Sequence, residues 1–428
     1  MSKLMTLWTF FTTKKKFNSR EEIERNQQKK MLKHIKKIRN KSKFFSRHWD
    51  GFEDSQWRDF PLIDKSIMME NLQDYLTVNL DIDNAKNSAL QAEKTRDFEQ
   101  KTSGFTVGFS SGTSGSRGIH IVSKSEQEIW AGYMLARGLD GSIFGKHKIG
   151  LFLRANSNTY ESIGSKNIKF QFYDLMRPLD ELVKELYENK PDILIAPPSI
   201  LRYLVDKKIT LRFRKIVSTA EVLTPLDKSL IEEYFQCIVH QLYSSTEGEI
   251  ATTCEFGTLH LNEDIMVIQK EYVDREKGQF FPIISDFKRI TQPIIRYRLN
   301  DILVEKKEPC PCNDAREGIA EIIGRQDDVF ILKNKNGDFE MIIPDLIRRA
   351  VLRLSGEIQA YMVEQISENE IIIQIQPDLK ELNFTGFDEL WKAKNIIEPK
   401  LKIIPYTFVP SAVKMRRISR KFDFNQNN

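Results

Sequence analysis

The stretch ILIAPPSILRYLVDKK, residues 193–208, decides the fold, because two textures meet in it. ILIA is an apolar run of strand length. SILRYLVDKK repeats its apolar residues at helical spacing, and the Pro-Pro between them suits a first helical turn, which needs no N–H donor. A strand feeding directly into a helix is the unit from which parallel sheets with helical faces are built. The alternation continues in both directions. IGLFL (149–153), KIVST (215–219) and CIVHQLY (237–243) read as strands, and LDELVKELYENK (179–190) and TPLDKSLIEEYF (224–235) read as amphipathic helices. The expected class is α/β, with a large N-terminal domain in which ligands meet the carboxyl ends of the strands.

Upstream lies FSSGTSGSRG (109–118), then IHIVS and a helical pattern with Ile129, Tyr133 and Ala136 on one side. Glycine and serine make the loop a poor helix or strand, and its backbone N–H groups can converge on an anion such as phosphate. A plain surface loop is the alternative. The loop is not a Walker A motif, which needs a lysine followed by Ser or Thr. Downstream, 255–305 turns β-rich. Past 325, VFILKNKNGDFEMII places Asn336-Gly337 between apolar runs and predicts a hairpin with a two-residue turn. PDLIRRAVLRL starts a helix on proline, and IIIQIQ reads as a strand. These elements form a small α+β C-terminal module, so the expected division is 1–326, including a basic helical extension at 1–48, and a mobile lid at 327–428.

Composition narrows the function classes. Of 428 residues, 40% are hydrophobic and 29% charged, as in an ordinary globular protein. No apolar run approaches the roughly 20 residues that span a bilayer. LMTLWTFF (4–11) precedes its basic cluster, the reverse of a secretory signal. Four cysteines make no disulfide scaffold, so a reducing cytoplasm is expected. The net charge of +5 hides fifteen Lys/Arg against three Glu in residues 1–48. Ile23, Met31, Ile35 and Ile38, with Leu32, share one helical face there, which predicts a packed helix with a solvated basic side. Peripheral contact of that helix with an anionic surface stays open. Aromatic residues are not interleaved as single-stranded nucleic acid would require, so no nucleic-acid partner is expected.

Five short motifs follow in order: STAEVLTP (218–225), YSSTEGE (243–249), PIIRYRLND (293–301), GRQDD (324–328) and a late lysine, Lys414. With the glycine-rich loop and APPSIL (196–201), the series resembles the ANL superfamily of adenylate-forming enzymes, in its phenylacetate–CoA ligase-like branch. That branch also holds enzymes that adenylylate a deazaflavin cofactor. The resemblance implies ATP-dependent activation of a small-molecule carboxylate to acyl-AMP, then transfer to an acceptor, in most relatives the thiol of CoA. Transfer to an amine or hydroxyl, or a nucleotide binder that has lost turnover, are the alternatives.

By the same resemblance, Ser110, Ser111, Gly112, Thr113, Ser114 and Gly115 hold the ATP phosphates, and Arg117 stands near the position of the relatives' lysine. Glu247 helps hold Mg²⁺, Thr246 contacts the α-phosphate, and Tyr243, Ala220 and Glu221 border adenine. Asp301 accepts from the ribose hydroxyls and Arg325 makes a second ribose or phosphate contact. Asp327 is the hinge, and Lys414 enters the site to stabilise the adenylation transition state. Departures from the relatives' motifs fall at Ser244, Leu299, Asn300 and Val413.

Cys254 and His260, with Cys310 and Cys312, form a complete tetrahedral zinc set of the closed, structural kind. Their spacing alone leaves open unrelated thiols and a surface histidine; similar sets in the resembled branch favour a structural zinc. Cys237, in an apolar run, reads as core, and His120 as a packing residue rather than a general base. Trp130, Tyr133 and Phe172 would suit an aryl acid, or are simply core.

Overall fold

The computed structural model describes residues 2–98, 101–110, 117–139, 141–154, 167–408 and 414–422. Ser111, Gly112, Thr113, Ser114, Gly115 and Val413 lie outside them. By packing, the chain divides into two compact units. One is Met1–Leu299 with Glu305–Ala320 and Ala412–Lys414; the other is Asn300–Val304, Glu321–Ser411 and Met415–Asn428.

The first unit opens with α1 (Ser2–Thr13) and α2 (Arg20–Arg39), followed by the short helices α3 (Lys43–His48), α4 (Lys65–Glu70) and α5 (Leu72–Tyr75) and by α6 (Ile82–Thr95). Ser19 caps α2 through its hydroxyl, and Ile23, Met31, Ile35 and Ile38 are buried, so the basic residues occupy the outer side as the spacing predicts. A hairpin, β1 (Thr106–Phe109) and β2 (Ile119–Val122), carries the glycine-rich loop. It leads to α7 (Lys124–Gly138), which starts on a Ser123/Glu126 capping box. Gly132 lets α1 cross α7 closely: a Cβ there would lie 2.3 Å from the Thr6 carbonyl oxygen.

The sheet then forms from β3 (His147–Leu153), β4 (Ile168–Asp174), β5 (Ile193–Ala196), β6 (Lys215–Thr219) and β7 (Val239–Ser245). These five lie in the order β4-β3-β5-β6-β7, all parallel. Every residue of β5 is buried, which is why ILIA is unbroken apolar sequence rather than alternating. The helices α8 (Leu179–Asn189), α9 (Pro198–Asp206) and α10 (Pro225–Phe235) sit where the sequence places them, the last two with proline in the first turn. Antiparallel β8 (Gly248–Thr253) and β9 (Leu259–Leu261) extend the sheet. The β-rich stretch supplies β10 (Met266–Asp274), β11 (Gln279–Asp286) and β12 (Ile294–Arg298), antiparallel in that order. β13 (Asp301–Glu305) and β14 (Gly318–Arg325) follow.

In the second unit β15 (Phe330–Lys333) and β16 (Phe339–Ile342) form the hairpin around Asn336-Gly337. Its turn is longer than the two residues expected. Lys333 pairs with Phe339, leaving residues 334–338 as the loop, because Asn334 accepts from the N–H groups of Asn336 and Asp338 through its side-chain oxygen. α11 (Pro344–Leu352) and α12 (Thr385–Ala393) accompany a sheet of β17 (Ala360–Ser367), β18 (Glu370–Gln376), β19 (Lys400–Pro405) and β20 (Ile418–Arg420), ordered β19-β18-β17-β20. Among the described residues no helix is long and apolar enough to cross a membrane.

Candidate functional site

Neighbouring parallel strands bring two of the motifs together. β6 and β7 are paired with Thr219 opposite Leu242, so the turns beyond them are adjacent. After β6, Ala220 adopts a left-handed backbone with φ of 69° and turns the chain so that the Glu221 N–H reaches the Thr219 carbonyl at 2.9 Å. The buried Glu221 carboxylate pairs with Arg154 at 2.8 Å. Tyr243 ends the regular part of β7, where the register shifts before Ser244. Ser245 then pairs with Gly248, leaving Thr246 and Glu247 as a two-residue tip. Glu247 accepts from the Thr246 hydroxyl at 3.0 Å and from the Tyr297 hydroxyl at 3.1 Å. Its oxygens suit a hard cation such as Mg²⁺.

A strap at residues 288–292, which sequence reading passes over, ties the tip to the glycine-loop hairpin. Arg289 donates to the Thr246 carbonyl at 3.1 Å. Gln292 accepts from the Ile121 N–H at 2.9 Å and donates to the Ile119 carbonyl at 3.0 Å. The strap is anchored by Glu126, whose carboxylate accepts from the N–H groups of Ile290 at 2.6 Å and Thr291 at 2.9 Å. Burial opposes ionisation of Glu126, but hydrogen bonds from Ser123 and Thr291 outweigh it and hold its pKa below 4.5. In sequence, only the capping box hinted at Glu126.

Ser110 closes the base of the glycine-rich loop: its N–H donates to the Gly118 carbonyl at 2.7 Å and its hydroxyl accepts from the Gly118 N–H at 2.8 Å. Arg117 lies there in an ion pair with Glu93. His120 stacks over Gly108, where a Cβ would be 2.4 Å from its ring. Burial, helped by Arg289, pulls its pKa down to about 4, so it packs as a neutral imidazole. Glu249, one step past Gly248, is buried and accepts from the Trp130 indole N–H at 2.6 Å. Burial raises its pKa to about 7, and that of Asp286 to about 6. Trp130 thus has a polar partner, as does Tyr133, whose hydroxyl donates to Asp264 at 3.1 Å.

In the second unit, Asp301 begins β13 and Arg325 ends β14, and their side chains pair at 3.3 Å. Asn300 donates to Asp327 at 3.0 Å, which joins a departure from the relatives' motif to the expected hinge. Lys414, which groups with the first unit, opens the described stretch 414–422.

The Cys/His set converges in the first unit. The donor atoms of Cys254, His260, Cys310 and Cys312 all lie within 4.8 Å of one another. Cys254 Sγ and Cys310 Sγ are 3.6 Å apart, and Cys312 Sγ is 3.3 Å from His260 Nε2. A tetrahedral zinc with Zn–S bonds of about 2.3 Å has S···S edges of about 3.8 Å and S···N edges of about 3.6 Å. All four cysteines are free thiols. His260 Nδ1 is 2.9 Å from the Arg316 carbonyl. A carbonyl only accepts, so Nδ1 carries the proton and Nε2 faces the thiols with its lone pair. Local folding explains the convergence. A turn at 254–257 with Gly257 in a left-handed conformation connects β8 to β9, and His260 pairs with Gly318 of β14. Lys16 fastens the N-terminal segment over the cluster by donating to the Cys312 carbonyl at 3.0 Å.

This is the fold of the adenylate-forming ligases. A 2-hydroxyisobutyryl-CoA ligase solved with 2-HIB-AMP in the postadenylation state superposes with a TM-score of 0.70 and 16% identity, covering 95% of this chain and 91% of that one. The same ligase has been solved with 2-HIB-AMP and CoA in the thioesterification state, with a TM-score of 0.58, 17% identity and coverage of 95% and 92%. A GH3.15 acyl acid amido synthetase gives a TM-score of 0.53 at 12% identity, covering 91% of this chain and 87% of that chain. In sequence, Protein CapK of Staphylococcus aureus is 30% identical over 163 residues, 36% of this chain. That match spans about a third of the curated relative's length, 35%. No family model matches the chain.

Proposed function

We propose that this protein activates a small carboxylic acid with Mg·ATP and passes the acyl group to the thiol of CoA. The observation that carries the reading is the grouping of Ala220, Glu221, Tyr243, Thr246 and Glu247 on adjacent turns at the carboxyl ends of β6 and β7, in the fold of enzymes that make acyl-AMP. A carboxylate oxygen attacks the α-phosphorus and pyrophosphate leaves. The thiol then attacks the carbonyl carbon of the mixed anhydride, and AMP leaves with the bonding electrons. Negative charge builds on phosphoryl oxygens in the first step, so positioning and electrostatic stabilisation do most of the catalysis.

In this reading Thr246 holds the α-phosphate, and Ser110 to Gly115, Thr113 among them, hold the outer phosphates. Asp301 and Arg325 take the ribose, and residues 327–428 act as the lid that brings and withdraws Lys414. Mg²⁺ on Glu247 would neutralise phosphate charge. We assign Cys254, His260, Cys310 and Cys312 to one structural zinc, supported by four donor atoms within 4.8 Å of one another and a histidine tautomer fixed for ligation. We place the protein in the cytoplasm, where such thiols stay reduced.

The test is ATP–pyrophosphate exchange with a panel of carboxylic acids. Exchange stimulated by one of them, and lost in Glu247→Gln, is the expected result. Tight ATP binding with no exchange for any acid overturns the reading in favour of a nucleotide binder without turnover. Mass spectrometry then settles the acceptor, because acyl-AMP that forms without acyl-CoA points to an amine or hydroxyl.

A further inference from the structure

Helix α1 has two apolar faces, and only one is used. Its inner face, with Phe10 at 2% exposure and Thr9 at 3%, packs on α7 across Gly132. Its outer face presents Leu4 at 74%, Trp8 at 56% and Phe11 at 56%, spaced as one helical stripe, with Met5 at 39% beside them. Phe144, 68% exposed, joins the patch with its ring 6.5 Å from that of Phe11. Fifteen large apolar side chains stand exposed among the described residues, and five of them are in this one patch.

Basic residues border the patch, two of them in exposed ion pairs, Lys15 with Glu22 at 3.6 Å and Lys16 with Glu255 at 2.7 Å. No Asp or Glu precedes Glu21, and Lys14, Lys15 and Lys16 follow α1 directly. The Lys288 ammonium lies 5.8 Å from the centre of the Trp8 ring. Lys14 and Lys16 also wall a cavity of about 510 Å³ with Arg137, Arg214, Lys215 and Arg316; Glu255 and Asp314 are its carboxylates.

We propose that α1 is a membrane-surface foot, whose Leu4–Trp8–Phe11 stripe and Phe144 enter the headgroup region of an anionic bilayer while the flanking lysines meet lipid phosphates. A helix of 12 residues is about 18 Å long, too short to span a bilayer but suited to lying in its surface. The high exposure of Leu4 and Phe144 leaves the patch without walls to seat a partner's side chains, whereas a bilayer needs none. Aromatic residues beside lysines, with no carboxylate on the helix, match the polarity of an anionic interface. The basic helix α2 lacks the apolar half of this arrangement, because its apolar face is buried. The inference is independent of the ligase reading.

Co-sedimentation of the full chain with phospholipid vesicles tests it. Binding to vesicles containing about a third phosphatidylglycerol should exceed binding to pure phosphatidylcholine by roughly ten-fold or more, and fall as salt rises. The exposed double variant Trp8→Ser/Phe11→Ser should lose that binding by about ten-fold with an unchanged thermal melt, and Lys15→Glu should weaken it and flatten its dependence on salt. Equal sedimentation of the wild-type and double-variant proteins overturns the proposal, as does the absence of sedimentation on either lipid. So does a wild-type dimer that the double variant makes monomeric without any lipid dependence; the patch would then be an interface between copies.

Discussion

Replacing Glu126 by alanine should loosen the strap that joins the Glu247 tip to the glycine-loop hairpin. The N–H groups of Ile290 and Thr291 have the Glu126 carboxylate as acceptor, and Thr291 is buried. A buried donor left without a partner costs about 1–3 kcal/mol, so Glu126→Ala should destabilise the first unit by about 3–5 kcal/mol. Glu126→Gln keeps one oxygen for the strap but turns an amide toward the Ser123 N–H, itself a donor bonded to Glu126 at 2.7 Å, and should cost about 1–2 kcal/mol. The folded pKa of Glu126 lies below its ordinary 4.5. Its stabilisation is therefore complete above about pH 5 and is lost as pH falls through the folded value, so the gap between wild type and Glu126→Ala should narrow in acid. Urea unfolding across that pH range, with pyrophosphate exchange measured alongside, checks both points. A Glu126→Ala midpoint at pH 7 within about 1 kcal/mol of wild type would refute the anchoring role.

Three other outcomes follow from the packing. Wild-type protein should carry one zinc by plasma mass spectrometry and Cys310→Ser should lose it on dialysis against a chelator; metal retained by the variant would refute the four-donor cluster. Glu249→Gln keeps the Trp130 hydrogen bond while removing a buried group whose pKa is raised to about 7. Ionising that group costs stability as pH rises from about 4.5 to 7, so the variant should gain up to about 3 kcal/mol at pH 8 and nothing at pH 4, read from urea midpoints. Gly132→Val puts a side chain where the Thr6 carbonyl lies and should prise α1 from α7, speeding tryptic cleavage at Lys14–Lys16 by about ten-fold or more.

The parallel sheet was legible because β3 and β5 carry unbroken apolar runs, with α9 and α10 announced by proline in the first turn. β4 was not legible: IKFQFYD pairs with β3 alone in the parallel array and tolerates polar Lys169 and Gln171. The length of the 334–338 turn escaped because Asn334, outside the Asn-Gly pair, bends the backbone with its own side chain. At the candidate site, Glu247 and the cysteines stood out as chemistry in short motifs. Glu126, Arg289 and Gln292 did not, since their work is to hold distant backbone together and no local spacing encodes a partner about 165 residues away.

The Cys/His cluster bears on how the protein can be taken apart. The chain leaves the first unit at Leu299, returns for Glu305–Ala320 and leaves again at Glu321. Two donors, Cys254 and His260, belong to the outbound run, while Cys310 and Cys312 belong to the return loop. A fragment ended after residue 299 would keep half a ligand set and the open edge of β9 where Gly318 should pair. The larger lobe is therefore not a contiguous stretch of the gene product, and a working minimal version must splice the 305–320 excursion back in rather than stop short of it.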